Sequence, residues 1–193
     1  MKLLLPELLR ALAAVFARPG FFPRGILVEG GEAIWASPAL KSALEQMLAC
    51  ETPDLPVAFT ETFLVGWAHP VLHLEASAQR TGLLRDPALL HDLDHHYAAI
   101  GFDPPGERSP DHLATELQAL ALGLQRLRGT EADELDHLVS KLTGLIDLHL
   151  RPLLIELQRL SRSRPIHPAY AAALAAAASC VELVREGIFA FTD

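Results

Sequence analysis

The sequence predicts an all-α, single-domain bundle of about seven or more helices, and three observations carry that expectation. Leu and Ala dominate an apolar fraction of 50%, whereas aromatic residues make up only 6%. Such side chains lose little freedom in a helix, and the β-branched and aromatic residues that favour sheets are sparse. Apolar residues recur at three- and four-residue intervals along most of the chain, the pattern of helices packed on one face. Ser-Pro starts and Gly stops punctuate these stripes. The 193 residues suit one domain with a sizeable core.

The first helix is expected from about Leu3 to Ala17, with Leu8, Leu12, Val15 and Phe16 at amphipathic spacing and Arg18-Pro19-Gly20 as its end. Glu7 and Arg10 interrupt the apolar run, which argues against a secretory signal. Residues 19–36 read as an ordered loop or short turns. Ser37-Pro38 opens a helix to about Ala49. Phe59, Phe63 and Trp67 at i, i+4 and i+8 mark another, Pro56 to Trp67, and residues 68–85 read as irregular.

Pro87 opens a helix that carries Leu89, Leu93, His96 and Ile100 on one stripe and stops at Gly101. A stiff polar loop, Phe102 to Arg108, leads to Ser109-Pro110-Asp111, expected to start the helix carrying Leu113, Leu117, Leu120, Leu124 and Leu127. Leu135, Leu138, Leu142 and Leu145 define the next, with a kink or break at Arg151-Pro152 before Leu153, Leu154, Leu157 and Leu160. Ser161 to Pro165 reads as a polar linker and a candidate hinge. The last helix, about Pro168 to Val184, is Ala-rich, which permits close approach to neighbours. Its uncharged run, Ala169 to Val181, is shorter than the roughly 20 residues of a membrane span.

A net charge of −8 and a pI near 5.5 repel phosphate backbones and attract cationic ligands or peptides. Nucleic acid is therefore an unsuitable partner, and no stable membrane insertion is expected. Cys50 and Cys180 form neither a CxxC nor a disulfide framework, which suits a reducing, cytoplasmic setting. Phosphate-cradling loops, nucleophile elbows and catalytic cysteine contexts are absent from the sequence, so nothing pulls toward a reaction class.

Nine histidines raise a metal reading. His91 and His95 have i, i+4 ligand spacing, but Asp92 stands where a metalloprotease motif has Glu. Glu134 and His137 make half of a di-iron ExxH pair whose second half is missing. His149 reads as a satisfied core histidine before Pro152. The metal-binding alternative therefore rests on His91, His95, Glu134 and His137, and no metal or other cofactor is expected.

The segment Glu107-Arg108-Ser109-Pro110-Asp111-His112 carries more chemistry than a helix start needs. Asp111 suits the helix dipole, but Glu107 and His112 add nothing to a cap. A rigid loop presenting Glu, Asp and His suits recognition of a cationic or polar backbone partner.

These residues resemble the TorD/DmsD/NarJ-type chaperones of molybdoenzyme maturation, over about Leu55 to Ala178. Tyr97-Ala-Ala-Ile-Gly101-Phe102 is similar to the family's tyrosine-glycine loop, and Glu107 to Leu117 to its Glu…Pro-x-Asp-His signature. Phe59 to Leu64, Glu75-Ala-Ser77, His149 to Pro152 and His167 to Tyr170 resemble further family segments, with Thr62 in place of Leu and no Trp before Pro152.

The resemblance implies a non-catalytic, all-helical chaperone, monomer or homodimer, with no cofactor of its own. Its partner would be the apo catalytic subunit of a molybdopterin oxidoreductase, or that subunit's twin-arginine leader peptide. Glu107 and Asp111 would accept the arginines, and Glu75 and Pro110 are further peptide-binding candidates. Trp67, Tyr97 and Phe102 would line an apolar groove, and His112 would orient a carboxylate or donate to the peptide backbone.

Overall fold

A computed structural model describes residues 5–22, 37–64, 72–82 and 85–189. Trp67, the Val71 end of the Glu75 segment, the start of the first helix before Leu5 and most of the expected 19–36 loop lie outside them. Of the described residues 76% are helical and none forms a strand. The elements are α1 (Leu5–Ala17), α2 (Pro38–Ala49), α3 (Leu55–Phe59), a π-helical turn π1 (Thr60–Leu64), α4 (Ala76–Thr81), α5 (Pro87–Ile100), α6 (Leu113–Arg126), α7 (Ala132–Gly144), a second π turn π2 (Leu145–Leu150), α8 (Arg151–Ser163) and α9 (Pro168–Phe189).

The core is built on two extensive pairings, α1 against α6 and α2 against α9. The first is the meeting of two stripes, Leu8, Leu12, Val15 and Phe16 on α1 with the Leu113, Leu117 and Leu120 side of α6, all buried. In the second, Ala169, Ala172, Ala173, Ala176 and Ala177 bury small side chains along α9. That helix also packs on α1, α7, α8 and π2. Phe59 and Phe63 face inward as their spacing predicts. Phe63 lies edge-on to Phe16 and Tyr170, with Phe59 edge-on to both Phe63 and Tyr170. The Tyr170 hydroxyl donates to the Leu55 carbonyl at 2.9 Å, tying α9 to the start of α3.

Local signals explain the boundaries that match expectation. Ser37 Oγ accepts from the Leu40 N–H at 3.3 Å, and Asp86 Oδ1 accepts from Ala88 and Leu89 N–H, each cap being followed by Pro. Gly101 ends α5 in the left-handed region at φ 70°, a conformation costly for residues with a Cβ.

Four expectations are corrected. A short helix, α4, occupies part of the segment read as irregular. The α6 helix begins at Leu113 with His112 as its N-cap, not at Ser109-Pro110, because the backbone of residues 110–113 is hydrogen-bonded elsewhere. There is no break at Arg151-Pro152: Leu150 keeps helical angles of φ −61° and ψ −49°, and α7, π2 and α8 run on continuously. A proline lacks the N–H that would bond one turn back, and its ring crowds that turn. The wide π turn immediately before it relieves both constraints. Finally, Ser161 to Ser163 belong to α8, so the turn away from the helix begins only at Arg164.

Removing the Tyr170 hydroxyl by Tyr170→Phe is expected to cost about 1 kcal/mol, whereas Phe63→Ala should cost about 3–5 kcal/mol through the cavity it opens. Urea unfolding of the purified variants measures both.

Candidate functional site

The Tyr97 to Leu117 segment folds around Asp111. This side chain is wholly buried rather than displayed at the surface. Its Oδ2 accepts from the Ser77 N–H at 2.8 Å, its Oδ1 from the Ser109 hydroxyl at 2.5 Å, and its carbonyl from the Ala76 N–H at 2.9 Å. Ala76 and Ser77 open α4, and the adjacent N-cap residue, Glu75, makes no side-chain cap bond. The free N–H groups of a helix start need acceptors, and Asp111 supplies two from a distant part of the chain. The Leu113 N–H donates to the Leu74 carbonyl at 2.8 Å, and Glu75 and His112 form an isolated antiparallel bridge.

This junction reaches α5 by two routes. Ser77 Oγ accepts from the Asp86 N–H at 2.9 Å, at the N-cap of α5. The Tyr97 hydroxyl, near its other end, donates to the Pro110 carbonyl at 2.6 Å. Burial, followed by the nearby Glu116 and Asp111 carboxyls, pushes the Tyr97 phenol well above its ordinary range, so it stays a neutral donor. Phe102 folds back to lie edge-on to Tyr97, ring centroids 5.1 Å apart. The Arg126 guanidinium bonds the Ile100 and Ala99 carbonyls at 2.5 and 3.2 Å, placing a cation where the dipole of α5 ends negative.

The expected site residues therefore divide. Asp111 and Tyr97 are buried and their polar atoms are occupied within the fold. Glu75, Phe102, Pro110 and His112 are half-buried, and Glu107 is exposed. His112 Nδ1 accepts from the Ala114 N–H at 3.1 Å, which makes the imidazole a helix cap. Burial, with the Arg108 cation adding to it and Asp111 opposing, lowers the His112 pKa to about 4.

Glu116 escaped the sequence reading as a site residue. It is fully buried, neither carboxyl oxygen has a hydrogen-bond partner, and burial followed by the Asp111 charge raises its pKa well above the usual carboxylate range. It is a neutral acid held one helical turn past the N-cap. Its place on the inner stripe of α6, among Leu113, Leu117 and Leu120, was the available signal.

The histidines are arranged differently from the expected metal set. His91 and His95 are exposed with their Nε2 atoms 3.2 Å apart, and Glu134 and His137 are exposed on α7. None of them belongs to a group of three or more ligating side chains among the described residues. Asp92, His96 and His149 do converge, and His149 keeps an unpartnered Nδ1 instead of being satisfied. A groove of about 380 Å³ runs between α8, α9 and the start of α2, lined in part by Arg151, Ile155, Glu182 and Glu186. None of the expected peptide-binding residues lines it.

The described residues thus form an all-helical bundle around the buried Asp111 junction, and no helix among them is long and apolar enough to cross a membrane. Residues 32–157 match the family described as nitrate reductase delta subunit, and the chain belongs to that family of NarJ/TorD-type maturation chaperones. No curated protein and no solved structure matches the chain.

Asp111→Ala strands the Ser77 N–H and is expected to cost about 2–3 kcal/mol in urea unfolding. His112 yields a pH signature. In the unfolded chain it protonates below about pH 6.5, whereas folded it stays neutral to about 4. The unfolded state thus binds more protons in that window, and stability falls on acidification from about 6.5 to about 4, by on the order of 3 kcal/mol in all. Glu116 contributes with opposite sign above about 4.5. His112→Asn retains an N-cap acceptor, so the difference in unfolding free energy between parent and variant should isolate the histidine slope.

Proposed function

We propose that the chain acts without catalysis as a cytoplasmic escort for the apo catalytic subunit of a nitrate-reductase-type molybdopterin oxidoreductase. It binds the subunit, through a twin-arginine leader peptide where one is present, until cofactor insertion and assembly are complete. The carrying observation is membership of the delta-subunit family across residues 32–157. The acidic net charge supports a cationic partner.

Within the site, the burial pattern supports a division of roles. The exposed Glu107 and the half-buried Glu75, whose side chain makes no cap bond, serve as acceptors for guanidinium groups, which favour bidentate carboxylate contacts. The half-buried Phe102 and Pro110 offer apolar surface, and Trp67 remains a further candidate for that surface. Asp111 and Tyr97 hold the loop in shape, and His112 caps the helix that follows it. The protein works as a monomer or homodimer and needs no bound cofactor for this role.

Fluorescence anisotropy with a labelled client leader peptide tests the site. Glu75→Ala combined with Glu107→Ala should weaken binding by roughly tenfold, about 1.4 kcal/mol, with a smaller effect at high salt. Undiminished affinity in a folded double variant would sink the peptide site. Capture of the mature apoprotein as tightly as the precursor would move the contact from leader to mature subunit.

A further inference from the structure

On the side of α5 turned toward α7 and π2, three ligating side chains meet from two distant parts of the chain. His149 Nε2 lies 2.8 Å from Asp92 Oδ2, and His96 Nε2 lies 4.0 Å from the same oxygen. One ligand atom from each of the three falls within 4.8 Å of the others. We propose that Asp92, His96 and His149 form a binding site for a divalent transition-metal cation of the zinc type, held by two imidazole nitrogens and one carboxylate oxygen with the remaining positions open to water.

The arrangement of hydrogen bonds supports a ligand set over an ordinary buried pair. His96 Nδ1 lies 2.9 Å from the Lys141 carbonyl. A carbonyl can only accept, so Nδ1 carries the proton and the Nε2 lone pair is turned toward Asp92. Such a carbonyl partner on the far nitrogen is the usual device that orients a ligating histidine. His149 is 2% exposed, its Nδ1 has no hydrogen-bond partner, and its Nε2 faces the carboxylate.

Backbone features bring the rings together. A Cβ on Gly144 would sit 2.4 Å from His96 Cε1, so only glycine admits the ring against α7. The π2 turn starts at the next residue and carries His149; single π turns inside helices frequently mark functional sites. Asp92, at 51% side-chain exposure, leaves one side of the cluster open to an arriving ion. Tetrahedral zinc with bonds near 2.0–2.1 Å needs ligand atoms roughly 3.3 Å apart, which the separations here bracket and a half-exposed aspartate can adjust to.

The proposal is independent of the escort reading, since neither Glu75, Glu107 nor the Asp111 junction takes part. The full chain, stripped with a chelator, is titrated with Zn²⁺ by calorimetry and with Co²⁺ by visible absorption. One equivalent should bind, and the thermal midpoint should rise with metal. Asp92→Asn and His149→Gln should each weaken binding by at least about tenfold. His91→Ala with His95→Ala should leave the equivalent in place. Should His149→Gln fail to fold, Asp92→Asn at a half-exposed position still decides. Absence of stoichiometric binding, an equivalent that survives Asp92→Asn, or one lost with His91 and His95 would overturn the site.

Discussion

A six-residue helix cannot stand on its own hydrogen bonds, because nucleation costs more than so few bonds return. The α4 helix persists because Asp111, 34 positions away from Ser77, offers both a side-chain oxygen and a carbonyl to its first N–H groups. From that contact a closed circuit extends. Ser77 Oγ holds the start of α5, α5 presents Tyr97, and Tyr97 returns to Pro110 beside Asp111. The circuit ties the Pro110–Asp111 stretch to both α4 and α5. Burial is the cost of that role, since the central acid is withdrawn from the surface.

The α5 helix serves two polar clusters with adjacent faces. Tyr97 belongs to the Asp111 junction, whereas Asp92 and His96 meet His149 against α7 and π2. Neutral buried groups predominate in both: Glu116 and Tyr97 are held protonated, and the histidines unprotonated, chiefly because burial disfavours the charged form. The surface network of Asp147 with Arg151 and Arg185 contrasts with these, since hydrogen bonds from Arg185 and then Arg151 lower the Asp147 pKa.

The family match ends at residue 157, yet the core does not. The α9 helix, wholly beyond it, covers α2, and α1, wholly before it, covers α6. Both carry general solutions to packing, an apolar stripe on α1 and small residues on α9, and neither carries the polar junction. The signature residues sit between them, on elements whose geometry is set by hydrogen bonds as well as by apolar contact.

Periodicity and caps in the sequence alone determined the helical class, the stripes on α1, α5, α6 and α7, and the limits at Ser37, Pro87 and Gly101, because those features depend on neighbours three or four residues apart. The residue types of Glu107 to His112 marked the chemically dense segment, and resemblance to a known family extended it to Tyr97 through Leu117. Tertiary structure decided what local signals cannot encode. Ser109-Pro110-Asp111 has the composition of a helix start, but its acceptors are claimed by α4, so α6 begins three residues beyond Pro110. Arg151-Pro152 has the composition of a break, but a π turn absorbs the proline. His149 lies more than fifty residues from Asp92 and His96 in sequence, and only packing of π2 against α5 reveals that they share one cluster.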